Sequence, residues 1–206
     1  MGVMIDGVWH AEEPTSGSAD DGKYRRTVSA FRNWITPDGA PGGEDCRGDF
    51  QAEAGRYHLY VALGCPWAHR TMIVRALKGL EDLISLDVVL PKRSPEGWVF
   101  EPKPGANSDS LLGSQALHEI YAAADAAFSG RVTVPVLWDK RRRTIVNNES
   151  SEIIRMLNSA FDDVGARGPD LYPEGMRADI DAINAEVYRS VNNGVYRTGF
   201  ARSQTA

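Results

Sequence analysis

One cysteine stands at the junction between a strand-like segment and a helix-like segment, and this junction limits what the chain can fold into. Residues 57–63 are apolar and β-prone, and apolar residues recur with helical spacing over 66–80. Proline suits the first position of a helix. The sequence therefore predicts Cys65, which precedes Pro66, at a helix N-terminus. There, free N–H groups and the helix dipole favour the thiolate, the reactive form of the thiol.

The residues around Cys65 indicate how such a thiol would react. The fourth position of the motif is Ala68, so a disulfide within the motif is excluded and a redox cycle needs an external thiol. Glutathione is the obvious candidate. The alternative is that Cys65 is a small buried apolar side chain, as isolated cysteines in soluble proteins usually are. The placement between strand, proline and helix favours catalysis, because a structural cysteine does not need it.

Composition excludes several other functions. With 206 residues, 42% hydrophobic residues and a formal net charge of −5, the chain is typical of a globular protein without a nucleic-acid footprint. The basic run 140–143 lies between two short strand-like segments and is interpreted as a solvated hairpin turn. His10, His58, His69 and His118 lack metal-ligand spacing, so no metal site is predicted.

The cysteine count and the N-terminus indicate a compartment. Cys46 and Cys65 are too few for a disulfide framework and fit a reducing environment. The N-terminal segment shows no signal peptide, and no apolar run approaches the length of a membrane span. We therefore expect a cytoplasmic protein with neither a membrane nor a nucleic acid as partner. Cys46 is assigned no role.

The remaining elements complete an α/β pattern. After the first strand and helix, the sequence predicts a strand at 84–90, a helix at 114–128 with Ser114 as N-cap, strands at 132–138 and 144–146, and a helix beginning near 148. A parallel pair followed by an antiparallel pair predicts a thioredoxin-like fold. The expected organisation is an extended arm (1–50) docked through Phe31 and Trp34, a glutathione-binding domain (51–164), and a linker with the start of a helical domain (165–206).

Several runs, in order, resemble the xi class of glutathione transferases, the glutathionyl-hydroquinone reductases. The resemblance rests on Phe31-Arg32-Asn33-Trp34, on 55–70 with its Cys-Pro-Trp-Ala core, on Gly97-Trp98, and on the runs 134–139, 147–154 and 192–196. It implies a thioredoxin-like domain followed by an all-α domain. It also implies a reaction, in which the Cys65 thiolate attacks the sulfur of a glutathionyl-hydroquinone, releases hydroquinone and leaves a Cys–glutathione mixed disulfide. A second glutathione then releases oxidised glutathione.

The resemblance also implies a glutathione site. Trp98 would cover glutathione, Arg131 would pair with its glycyl carboxylate, and the backbone of Val134, before a cis Pro135, would pair with its cysteinyl group. Glu149 and Ser150 would hold the γ-glutamyl end at a helix N-terminus. The alternatives are a packing tryptophan for Trp98, an exposed helix-end arginine for Arg131, and a capping box for Glu149 and Ser150 with Ser150 or Asn148 as the cap.

A second catalytic residue is implied beyond the first domain. Tyr196 would hydrogen-bond the hydroquinone oxygen and assist proton transfer; the alternative is a core tyrosine. Trp67 is interpreted as a core residue, and packing is favoured over tuning of the thiol for His69.

Family members continue into a complete helical domain and form homodimers, whereas this chain stops soon after Tyr196. We expect a truncated member that lacks most of the electrophile pocket and much of the dimer contact. Two other functions stay open. One is an omega-like thiol transferase or dehydroascorbate reductase that uses the same cysteine, and the other is an inactive glutathione-binding fragment.

Overall fold

The computed structural model describes residues 2–12, 26–43 and 48–201. These residues form two compact units. The described part of the first unit consists of 2–12, 29–43 and 48–170, and that of the second consists of 26–28 and 171–201. Cys46 lies outside the described residues.

The described part of the first unit contains a hairpin, a four-stranded sheet, three α-helices and a 3₁₀ turn (Asp162–Val164). The strands are β1 (Val3–Ile5), β2 (Val8–His10), β3 (Tyr57–Ala62), β4 (Ile84–Val89), β5 (Val136–Asp139) and β6 (Thr144–Asn147), and the helices are α1 (Pro66–Leu77), α2 (Leu117–Ala124) and α3 (Ser150–Ser159). From β3 onward, the predicted order of strands and helices is confirmed. The β1–β2 hairpin was not predicted.

The sheet has the order β4-β3-β5-β6 and is mixed. Strand β3 pairs in parallel with β4 and antiparallel with β5, which pairs antiparallel with β6. All six residues of β3 are buried, as expected for a strand with neighbours on both edges and helices packed on the sheet. The turn at 140–143 joins β5 to β6, which confirms the predicted hairpin. This order of strands and helices confirms the predicted thioredoxin-like α/β fold.

Two elements begin several residues later than the sequence predicts. The helix predicted at 114–128 spans Leu117–Ala124, and Ser114 is not its N-cap. The Ser114 N–H instead donates to Asp109 (2.9 Å), and a β-bridge to Val99 keeps Ala116 extended. The strand predicted at 132–138 begins at Val136, because Pro135 has no N–H for the ladder.

The described part of the predicted arm contains the β1–β2 hairpin and a segment that docks on the sheet. Phe31 and Trp34 pack against the core, as expected. The Phe31–Asn33 backbone also lies antiparallel to the end of β6, with Asn33 N–H donating to Val146 O (3.0 Å) and Asn148 N–H to Phe31 O (3.1 Å). This segment therefore extends the sheet beside the start of α3.

The second unit is helical. It comprises α4 (Arg177–Val187) and α5 (Asn193–Phe200), joined by the π-helical segment Tyr188–Asn192. The predicted helix at 174–193 corresponds to a 3₁₀ turn (Glu174–Met176), α4 and this π segment. Within the described ranges, no helix is both long and apolar enough to cross a membrane. The boundaries predicted at 50 and 164 stay predictions.

Candidate active site

Cys65 is the N-cap of α1 and is a half-buried free thiol. Its backbone is extended (φ −100°, ψ 114°), Pro66 occupies the first turn, and the His69 N–H donates to Cys65 O (2.9 Å). The first turn holds no acidic residue, so no carboxylate on that turn opposes a thiolate. The predicted position at a helix N-terminus is confirmed.

The Cys65 sulfur faces the segment before β5. Its Sγ lies 3.7 Å from Val134 O and donates to it. The Val134–Pro135 peptide bond is cis, as the resemblance implied. Val134 is buried, and the Tyr121 hydroxyl holds the preceding Thr133 O (2.9 Å). The structure therefore brings together Cys65 and Val134, two of the predicted site residues.

Glu149 and Ser150 lie at the start of α3. Glu149 is the N-cap, and its carboxylate accepts from the Ser151 N–H (3.2 Å) and the Ser29 hydroxyl (3.0 Å). The predicted caps, Ser150 and Asn148, are therefore wrong. The Asn148 amide is used elsewhere, because it accepts from the Phe31 N–H and donates to the Tyr121 hydroxyl.

Ser150 is buried at the first position of α3. Its hydroxyl oxygen accepts from Arg70 Nε (3.1 Å) and Arg70 Nη2 (2.8 Å). Arg70 Nη2 also lies 3.8 Å from Glu149 Oε1, and the guanidinium lies 4.9 Å from the centre of the Trp67 ring. Arg70 therefore connects the helix that begins at Cys65 to the helix that begins at Ser150.

Trp98 lies on the long loop between β4 and α2. It is half-buried, packs against the core, and carries the Arg93 guanidinium 5.2 Å from its ring centre. The turn before it is closed by reciprocal hydrogen bonds between Ser94 and Gly97 (both 2.9 Å). Both the covering and the packing interpretation fit a half-buried Trp98.

Arg131 is half-buried and directly precedes the buried Val132.

Trp67 is buried, which confirms its interpretation as a core residue. His69 is exposed, so its interpretation as a packing residue is wrong: the position faces solvent on α1.

Tyr196 belongs to α5 in the second unit. It is half-buried, its ring stacks on Phe200 at 6.1 Å, and the Arg26 guanidinium lies 5.5 Å from its centre. It is not a fully buried core tyrosine. A pocket of about 250 Å³ in this unit is lined by Arg26, Tyr188, Arg189, Asn193 and Arg197.

Comparison with known proteins assigns this geometry to a family. The glutathione S-transferase N-terminal domain model matches residues 64–160. Glutathionyl-hydroquinone reductase YqjG of Escherichia coli is 55% identical over the whole of this chain, and a xi-class transferase from Natrialba magadii matches with a TM-score of 0.85 at 46% identity over 100% of this chain and 59% of that one. The chain belongs to the xi class of glutathione transferases.

Two further proteins are also similar to this xi-class chain. A glutathione-bound structure of YqjG matches with a TM-score of 0.87 at 52% identity, over 99% of this chain and 60% of that one. The glutathione S-transferase omega-like 2 of Schizosaccharomyces pombe is 48% identical over 93% of this chain. The chain spans 62% of the length of YqjG and 60% of the omega-like relative.

Sequence reasoning missed two residues that form hydrogen bonds with the predicted site residues Ser150 and Glu149. Arg70 stands 80 positions before Ser150, and Ser29 stands 120 positions before Glu149. Arg70 carries a weak signal, because it lies on the helix that Cys65 begins. Ser29 carries none, since only the docking of the arm beside β6 brings it to the carboxylate.

Proposed function

We propose that this chain catalyses the glutathione-dependent reduction of glutathionyl-hydroquinones to hydroquinones. The observation that carries the proposal is the Cys65 thiol at the N-terminus of α1, 3.7 Å from Val134 O beside the cis Val134–Pro135 bond, with Ala68 at the fourth motif position. The 55% identity to YqjG, a glutathionyl-hydroquinone reductase of Escherichia coli, supports the proposal.

Glutathione is the co-substrate in this proposal, and five residues bind it. Trp98 covers it, Arg131 pairs with its glycyl carboxylate, and the Val134 backbone pairs with its cysteinyl group. Glu149 takes the γ-glutamyl ammonium and Ser150 the γ-glutamyl carboxylate. The N-terminus of α3 supports this, because free N–H groups and the helix dipole favour an anion there. The glutathione-bound structure of YqjG supports glutathione as the ligand.

The chemistry proceeds in two exchanges at Cys65. The thiolate attacks the sulfur of the glutathionyl-hydroquinone, an S–S bond forms, and the C–S bond to the ring breaks. The ring carbon takes a proton, and the hydroquinone leaves. The Tyr196 hydroxyl forms a hydrogen bond with the hydroquinone oxygen and assists the proton transfer. A second glutathione thiolate then attacks the mixed disulfide, which frees Cys65 and releases oxidised glutathione.

The test is release of hydroquinone from glutathionyl-hydroquinone in the presence of glutathione. We expect turnover by the chain, loss of turnover in Cys65→Ala, and unchanged turnover in Cys46→Ala, the matched cysteine control. Equal turnover in Cys65→Ala would contradict the proposal. So would a folded chain that binds glutathione without turnover, the outcome that an inactive fragment predicts.

A second candidate is an omega-like thiol transferase or dehydroascorbate reductase. The 48% identical omega-like relative favours it, and the same Cys65 would form the same mixed disulfide. Comparing kcat/KM for glutathionyl-hydroquinone, dehydroascorbate and a glutathionylated peptide separates the two. A cytoplasmic location and a homodimer stay predictions.

A further inference from the structure

We propose that Arg70 is a positioning residue that fixes Ser150 as a hydrogen-bond donor and so makes the start of α3 selective for a carboxylate. The inference rests on the proposed glutathione site. Arg70 follows Cys65 by five positions on α1, and its Nε and Nη2 both donate to Ser150 Oγ, at 3.1 and 2.8 Å.

These two hydrogen bonds determine the polarity of the Ser150 hydroxyl. A serine hydroxyl has two lone pairs and one proton, and two N–H donors occupy both lone pairs. A guanidinium stays charged and is donor-only under physiological conditions, so this arrangement does not reverse. Ser150 can then offer a ligand only its proton.

The neighbouring carboxylate has the opposite polarity. Glu149 is an acceptor, held by the Ser151 N–H and the Ser29 hydroxyl and lying 3.8 Å from Arg70 Nη2. A donor hydroxyl at a helix N-terminus beside an acceptor carboxylate suits a ligand that carries an anion and a cation on one carbon. The α-carboxylate and α-ammonium of a γ-glutamyl group have this arrangement.

The Arg70 side chain is 31% exposed and spans from α1 to the start of α3. Its guanidinium lies 4.9 Å from the centre of the ring of the buried Trp67, and this cation–π contact helps to hold it in place. Arg70 thereby acts on the ligand through Ser150 rather than by direct contact.

The test compares two ligands in two variants. The ligands are glutathione and 4-aminobutyryl-cysteinylglycine, which lacks only the γ-glutamyl α-carboxylate. We expect Arg70→Met to weaken glutathione binding about 10-fold, as for one hydrogen bond to a charged group, and to leave the Kd of the analogue within about twofold. Arg70→Lys should recover part of the loss, because it keeps the charge without the fork.

Arg75→Met is the matched control. Arg75 lies on the same helix, and its guanidinium donates to the carbonyl oxygens of Ile84 (2.7 Å) and Glu81 (2.9 Å), away from α3. It should leave the affinity ratio of the two ligands unchanged. Circular dichroism confirms that each variant is folded at the temperature of the titration.

A double-mutant cycle tests whether Arg70 acts through Ser150. In the Ser150→Ala background, Arg70→Met should have almost no further effect on glutathione affinity. Equal losses for both ligands, or equal losses in both backgrounds, would overturn the inference and assign Arg70 a merely structural or a direct role. Absence of glutathione binding by the unmodified chain would instead refute the proposed function.

Discussion

At the scale of single residues, two buried carboxylates hold the long loop between β4 and α2. Asp87 accepts from the Ser110 N–H and hydroxyl, both at 2.7 Å, and from the Asn107 amide, and its Oδ2 lies 3.2 Å from His58 Nε2. Asp109, the second carboxylate, accepts from three backbone N–H groups of the same loop and from the Tyr60 hydroxyl. These two carboxyl side chains therefore hold the loop that carries Trp98.

Asp87 predicts a component of acid denaturation. Burial raises the pKa of Asp87, but the nearby His58 ring and hydrogen bonds from Ser110 and Asn107 outweigh it and lower the pKa from 3.8 to about 2. Because this pKa is lower in the folded chain, ionised Asp87 stabilises the fold above about pH 4. That contribution, about 2 kcal/mol, is lost as the pH falls from 3.8 to 2.

Urea unfolding between pH 7 and pH 2.5 measures this contribution. Asp87→Asn should be less stable than the unmodified chain at pH 7, and the difference should shrink towards pH 2.5. Asp163→Asn, at an exposed carboxylate, should show no such difference. A gap that stays constant across this range would contradict the assigned role of ionised Asp87.

At the scale of elements, the N-terminal hairpin packs against the long loop that carries Trp98. Trp9 on β2 donates from Nε1 to Pro95 O (3.0 Å), stacks on His118 at 5.0 Å, and lies against Gly97. Strand β1 is bonded to Gly130 through Met4, at 2.9 Å in both directions. The hairpin therefore supports both the turn before Trp98 and the segment that leads to Arg131.

The tip of the hairpin predicts a sensitive glycine. Gly7 has φ +78°, and a Cβ there would lie 1.9 Å from Ala126 O. Gly7→Ala should lower the free energy of unfolding by about 2 kcal/mol or more, from backbone strain plus the clash. Gly55→Ala separates the two costs, because Gly55 has φ +76° with nothing within 4 Å and should cost only about 1 kcal/mol. Equal melting temperatures for the two variants would contradict the clash.

The same hairpin shows where sequence interpretation failed and why. Asp6 and Gly7 both have positive φ (47° and 78°) and lie between the short apolar runs Val3–Ile5 and Val8–Trp9, and an Asp-Gly pair between two β-prone segments is a hairpin signal. The pattern was available in the sequence, but the Gly- and Ser-rich residues that follow led to the prediction of an extended arm. The shortened helix at Leu117–Ala124 differs in kind, because Ala116 is kept extended by a β-bridge to Val99, at the other end of the long loop, which no local pattern reveals.

At the scale of the whole molecule, the two units differ in burial. The core consists of residues of the first unit, with β3 buried throughout. In the described part of the second unit, no residue of α4, the π segment or α5 is buried, and Ile183, Val191 and Val195 are more than half exposed. Helices of this length gain most of their stability from packing, so the second unit should be the less stable one.

Hydrogen exchange read by mass spectrometry checks this difference. Peptides from β3 and α1 should exchange slowly, with protection close to that of global unfolding, whereas peptides from α4 and α5 should exchange faster by orders of magnitude. Peptides from α2, a short helix of the first unit with three buried residues, serve as the control for helix length. Equal protection in α2 and α5 would contradict the prediction.

The sequence alone determined the strand–Cys65–Pro66–helix junction, the order of elements from β3 to α3, the hairpin turn and the resemblance to the xi class. These features are local, because capping, periodicity and turn chemistry act within a few residues. Tertiary structure decided the rest. Arg70 reaches Ser150 across 80 positions and Ser29 reaches Glu149 across 120, and only the packing of α1 and the arm against the start of α3 brings these groups within hydrogen-bond distance.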